Sequence, residues 1–71
     1  MTLSQKVGLR IKELRKVKHL TQEQLSLEYG ERSYISKIET GTSNMSILNI
    51  FKVCKALKIS LCDFFNCNLF K

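Results

Sequence analysis

Arg32, Ser33, Ser36 and Lys37 lie within one short stretch and end in cationic or short hydroxyl tips. Tyr34, Ile35 and Ile38 are interleaved with them at helical spacing, so a helix here turns its apolar groups to one side and its polar tips to the others. The chemistry open to such a face is recognition by hydrogen bonding. Arg forks onto guanine O6 and N7, Ser adapts to several bases, and Lys reaches a base or a phosphate. For an isolated helix the plainer reading is a solvated side, and the surrounding chain must decide between the two.

The stretch Thr21 to Gly41, TQEQLSLEYGERSYISKIETG, reads as two short helices around a glycine turn. Thr21 with Gln24 three residues on has the spacing of a reciprocal cap, so a helix is expected from Gln22. Leu25 and Leu27 are expected to face inward. Gly30 supplies the positive φ that closes this helix, and Gly41 the matching stop for the next.

Before this pair, a first helix is expected from Ser4 to about Lys18, with Ser4 as its cap and Leu3, Val7, Ile11 and Leu14 as its apolar stripe. Lys6, Arg10, Lys12, Lys16 and Lys18 decorate its other sides, some placed for phosphates and the rest for solvation. After the pair comes the polar run Thr42-Ser43-Asn44-Met45-Ser46. Ser46 can cap a fourth helix from Ile47 to about Leu57, with Ile47, Ile50, Phe51, Cys54 and Leu57 inward. Ser60 can cap a short fifth helix, Leu61 to Phe65. Leu61, Phe64, Phe65, Leu69 and Phe70 are more apolar groups than that helix can hide alone, which leaves core packing and a dimer contact both open. The dimer reading places Leu61, Phe64, Phe65 and Phe70 at the interface.

Composition narrows the function classes. With 71 residues, no proline and no tryptophan, the chain is expected to be a single domain over 1–71 with one small core that buries only about 60% of its unfolded surface. Its formal net charge of +6 favours polyanionic partners, nucleic acid before acidic membrane surfaces. Lys52, Lys55 and Lys58 interrupt the most apolar region, so no membrane span is expected. The N-terminal residues lack a basic-then-apolar signal pattern, and a cytoplasmic location is expected. Cys54, Cys62 and Cys67 cannot all pair within one chain, and Cys62-x4-Cys67 lacks zinc-knuckle spacing, so neither metal nor other cofactor is implied. His19 has no partner nucleophile, and no catalytic residue is expected.

The runs LRKVKHLTQEQLS (Leu14 to Ser26) and RSYISKIETG (Arg32 to Gly41) closely resemble the Cro/C1-type helix-turn-helix family of phage repressors and their small bacterial relatives, including restriction-modification controllers. The resemblance runs from about Val7 to Phe65. It implies an all-α, lambda repressor-like bundle of five short helices, with the helix-turn-helix formed by the second and third. It further implies double-stranded DNA as partner and a homodimer on a two-fold symmetric operator, with Arg32, Ser33, Lys37 and Ser36 reading bases. Gln22 would contact the backbone or position a base-reading side chain, and Tyr34 would donate its hydroxyl to a phosphate. Thr42, Ser43 and Asn44 are phosphate candidates on the same grounds, with an ordinary turn as the competing reading.

The resemblance also pairs Arg15 with Glu39, joining the first helix to the end of the third. Two departures stand out. The link Gly30-Glu31-Arg32 is one residue shorter than the family pattern, which gives Tyr29 the role of filling a gap in the core. His19 replaces the usual glycine after the first helix, and His tolerates the left-handed region better than most residues. Two other function classes fit the same fold, a protein-interaction module of the antitoxin type and a non-specific nucleic-acid binder. Regulation of so short a chain is expected to come from concentration, dimerisation or a protein partner.

Overall fold

Ser and Thr oxygens that accept otherwise orphaned backbone N–H groups define where most of these helices start. The computed structural model describes residues 1–30, 34–41 and 45–71. Within them run α1 (Leu3–Val17), α2 (Gln22–Tyr29), α3 (Tyr34–Glu39), α4 (Ile47–Leu57) and α5 (Leu61–Phe65), with a closing 3-10 turn at Asn68–Phe70. This is the all-α bundle that the sequence predicts.

The Thr21 hydroxyl accepts the Gln24 N–H at 3.0 Å, and the Gln24 carbonyl oxygen accepts the Thr21 N–H at 2.8 Å. Ser46 and Ser60 cap α4 and α5 as expected. For α1 the expectation needs correcting, because the cap is Thr2 and Ser4 already lies inside the helix. Thr2 and Gln5 repeat the spacing of Thr21 and Gln24 and make the same reciprocal bonds, at 3.2 and 2.8 Å. Gly30 ends α2 at φ 106°, and Gly41 follows α3 at φ 76°. His19 occupies the left-handed region at φ 59°, as its place after α1 requires. Lys58 does the same after α4, at φ 61°.

Val7, Ile11, Leu25, Ile35, Ile38, Ile50, Val53, Cys54, Leu57 and Phe64 form one core. Three parts of the expected apolar stripes fall outside it. Leu3 precedes the first turn that packs and is exposed, while Gly8 and Arg15 share the buried side of α1 with Val7 and Ile11. On α2 the small Ser26 is buried beside Leu25, which turns Leu27 outward. On α4 the core takes Ile50, Val53, Cys54 and Leu57 and leaves Ile47 and Phe51 in solvent. That helix has more apolar residues than one side of it can bury.

Phe64 is completely buried, so it is core and has no surface to offer a second chain. Phe65 and Phe70 pack around it, with ring centroids 4.9 and 6.1 Å from its own. They and Leu61 are half-buried and keep some surface. Arg10 also has a role beyond solvation. Its Nε donates to the Phe64 carbonyl and its Nη2 to the Asp63 carbonyl, each at 2.7 Å, which sets a cation at the C-terminal end of α5.

The approach of α1 to α3 depends on Gly8. A Cβ at this position would collide with the Ile38 carbonyl oxygen and lie 3.1 Å from the Glu39 carbonyl oxygen. Backbone atoms in a packed helix cannot yield as the end of a side chain does, so the two helices would be pushed apart. Gly8→Ala is therefore expected to destabilise the fold by about 1–3 kcal/mol, the usual range for overpacking. Urea unfolding followed by circular dichroism measures it, and a variant as stable as the parent would contradict this packing.

Candidate nucleic-acid interface

The short helix α3 is held by its apolar side. Ile35 and Ile38 are buried in the core, which leaves Ser36 and Lys37 exposed. Two expected base-reading residues thus sit on the outer face of a clamped helix. Arg32 and Ser33 lie outside the described residues, as do Thr42, Ser43, Asn44 and the short link after Gly30. Gln22, at the first position of α2, is exposed.

Arg15 and Glu39 meet as the family pattern implies. Arg15 Nε donates to Glu39 Oε2 at 2.7 Å and Nη2 donates to Oε1 at 3.2 Å. The guanidinium also gives Nη1 to the Leu20 carbonyl at 2.8 Å, so one side chain of α1 holds the entry to α2 and the end of α3. The pair is well shielded, with side-chain exposures of 11% for Arg15 and 3% for Glu39. An unpaired carboxylate at this end of α3 would repel a phosphate. Here the fork of Arg15 offsets that charge.

Gln22 enters the same cluster, donating Nε2 to Glu39 Oε1 at 3.0 Å. This fixes the amide at the start of α2 relative to the end of α3. A side chain tethered in this way needs less ordering when it meets a partner. The sequence pattern pointed to Arg15 and Glu39 but not to the inclusion of Gln22, which depends on how closely α2 and α3 approach.

Tyr34 is half-buried at the start of α3. Its ring centroid lies 5.3 Å from that of Tyr29, and its hydroxyl oxygen accepts from Asn49 Nδ2 at 3.3 Å. Tyr29 packs against the core from the end of α2. Asn49, on α4, was not singled out by sequence, because an Asn between apolar neighbours gives no periodic signal of what it touches.

Among the described residues no group of three or more His, Cys, Asp and Glu side chains is placed to hold a metal ion. All three cysteines are free, and burial pushes the Cys54 thiol above its ordinary value. Cys54 therefore stays a neutral part of the core. None of the described helices is long and apolar enough to cross a membrane.

The helix-turn-helix family model matches residues 11–64. Control protein C.BamHI of Bacillus amyloliquefaciens is 43% identical over 54 residues, covering 73% of this chain and 67% of that protein. Control protein C.MunI of Mycoplasma sp is 38% identical over 61 residues, covering 83% of this chain and 82% of that one. In three dimensions the chain is similar to the restriction-modification controller protein C.AhdI from Aeromonas hydrophila, with a TM-score of 0.81, 41% identity, and coverage of 87% of this chain and 91% of that chain. The controller protein C.Esp1396I, in a tetramer complexed with its natural 35 base-pair operator, gives a TM-score of 0.86 and 36% identity over 92% of this chain and 87% of that chain.

The Arg15 and Glu39 pair yields a test of its own. Removing one partner strands the other charge where water reaches it poorly, so Arg15→Ala or Glu39→Ala alone should cost about 3–5 kcal/mol. Arg15→Met combined with Glu39→Leu should cost less than either single change, because no buried charge is left over. Denaturant midpoints of the three variants decide it, and additive losses would contradict the pairing.

Proposed function

The chain belongs to the helix-turn-helix family, and on that premise we propose that it is a sequence-specific double-stranded DNA-binding regulator of the restriction-modification controller type. It acts as a homodimer on a two-fold symmetric operator, with α3 in the major groove. The observation that carries this reading is the construction of α3 itself. Two buried isoleucines and the shielded Arg15–Glu39 pair hold it down, while Ser36 and Lys37 face outward. The operator complex of C.Esp1396I, a protein of the same fold at 36% identity, supports it.

Within this reading Arg32, Ser33, Lys37 and Ser36 contact bases, and Gln22, Tyr34, Thr42, Ser43 and Asn44 contact the backbone. The net charge of +6 draws the protein to DNA and makes binding depend on salt. The family is one of DNA-binding regulators, and we assign the chain no enzymatic activity. A regulator of this kind works where the DNA is, in the cytoplasm.

Size argues for two chains. The longest dimension is 30 Å, less than the ~34 Å between successive major-groove faces of B-DNA. One chain reads one half-site. The exposed apolar residues of α4 supply a surface for the second: Ile47 is 59% exposed, Leu48 72% and Phe51 45%. Ile47 and Leu48 precede Phe51 by four and three residues, so each lies beside it on the same side of the helix. Monomers seldom leave such a cluster in water. We place the dimer contact on this face, with Leu61, Phe65 and Phe70 at its margin.

Leu48→Glu tests this assignment without touching the core, since an exposed position should change monomer stability by no more than about 0.5 kcal/mol. The expected result in analytical ultracentrifugation is a shift to the monomer mass of 8.2 kDa. Affinity for a two-fold symmetric operator should fall by at least about tenfold, because each half then binds alone. A variant with parental dimer mass and parental affinity would contradict the proposed interface.

A further inference from the structure

Tyr34 is gripped from two directions. Tyr29 lies against its ring, and Asn49 reaches its hydroxyl from a different helix. We infer that Asn49 is a positioning residue for DNA binding, which orients the Tyr34 hydroxyl so that its proton points to a phosphate oxygen. This inference rests on the reading of Tyr34 as a backbone contact given above.

Donor and acceptor chemistry sets the direction of the hydroxyl proton. A tyrosine hydroxyl both donates and accepts, whereas an amide NH2 only donates. The phenol proton lies near the ring plane, on one side of the oxygen or the other. With Asn49 Nδ2 donating to that oxygen at 3.3 Å, the proton is turned to the opposite side. Phosphate oxygens only accept, so a hydroxyl free to rotate would present the wrong side part of the time. Asn49 removes that alternative before DNA arrives, and preorganisation of this kind strengthens binding without a new contact.

Asn49 is itself well placed to hold still. Its backbone N–H is accepted by the Ser46 hydroxyl at 3.2 Å in the cap of α4. Its neighbour Ile50 is anchored in the core. The helix that presents Ile47, Leu48 and Phe51 therefore also carries the clamp on Tyr34.

A double-mutant cycle read by DNA titration tests the inference on the full chain. Tyr34→Phe should weaken binding about three- to tenfold, the worth of one hydrogen bond, and equally on a symmetric operator and a scrambled duplex. Asn49→Ala should weaken binding about threefold or more, yet change it by less than about 1.5-fold when added to Tyr34→Phe. Asn49→Asp should be worse than Asn49→Ala, since a carboxylate accepts the phenol proton. In the Tyr34→Phe background only its added charge should remain.

Equal losses from Asn49→Ala in both backgrounds would overturn the inference, because Asn49 would then act without Tyr34. So would a loss that follows a changed dimer mass in parallel sedimentation runs. A Tyr34→Phe variant with parental affinity would overturn both the inference and the backbone role of Tyr34. The two failures are thus told apart by the tyrosine variant alone.

Discussion

Arg15 and Glu39 form the joint on which the rest of this chain depends. The guanidinium of α1 meets the last residue of α3 with two hydrogen bonds and gives a third to the Leu20 carbonyl, just before α2. Three helices too short to be stable alone thus share one polar anchor. Such an anchor holds only if both charges are shielded and matched, and both side chains are nearly out of solvent. Gln22 is drawn into the same cluster, so the first residue of α2 takes its place from the last residue of α3.

From this joint the division of labour among the helices follows. Gly8 lets α1 lie against the end of α3, where any side chain would meet backbone oxygen. Ile35 and Ile38 then fill the core from a helix of six residues, and what remains of α3 faces outward. On the other side α4 is apolar on two faces. One closes the core, and the other, left exposed, is the face on which we propose that a second chain docks. In the proposed dimer each face has its use, because one helix reads too few bases for specificity and two must be held at a fixed spacing.

Much of this arrangement was legible in the residues, and what was missed has physical causes. The caps at Thr21, Ser46 and Ser60 and the turn at Gly30 are local chemistry, and they fall where spacing puts them. Thr2 with Gln5 carries the same local signal as Thr21 with Gln24, and that reciprocal spacing is a stronger mark of a helix start than the single residue Ser4. The choice among apolar residues on α4 was less accessible. With Ile47, Leu48, Ile50, Phe51, Val53, Cys54 and Leu57 all apolar, periodicity does not say which face is inside. Gly8, Arg10 and Asn49 owe their roles to groups far along the chain, and no local pattern encodes those. Arg15 and Glu39 were found through a family pattern, which carries the long-range contact that spacing lacks.

In the proposed function two copies of α3 read a two-fold symmetric DNA sequence. Selection of bound sequences from a random duplex library at near-physiological salt tests it most directly, followed by titration of the enriched site against a scrambled control. The expected result is enrichment of a symmetric site with half-sites about one helical turn apart, bound at least about a thousandfold more tightly than the control. Binding that weakens steeply with salt but enriches no sequence would contradict it, leaving a chain that senses the charge of DNA alone.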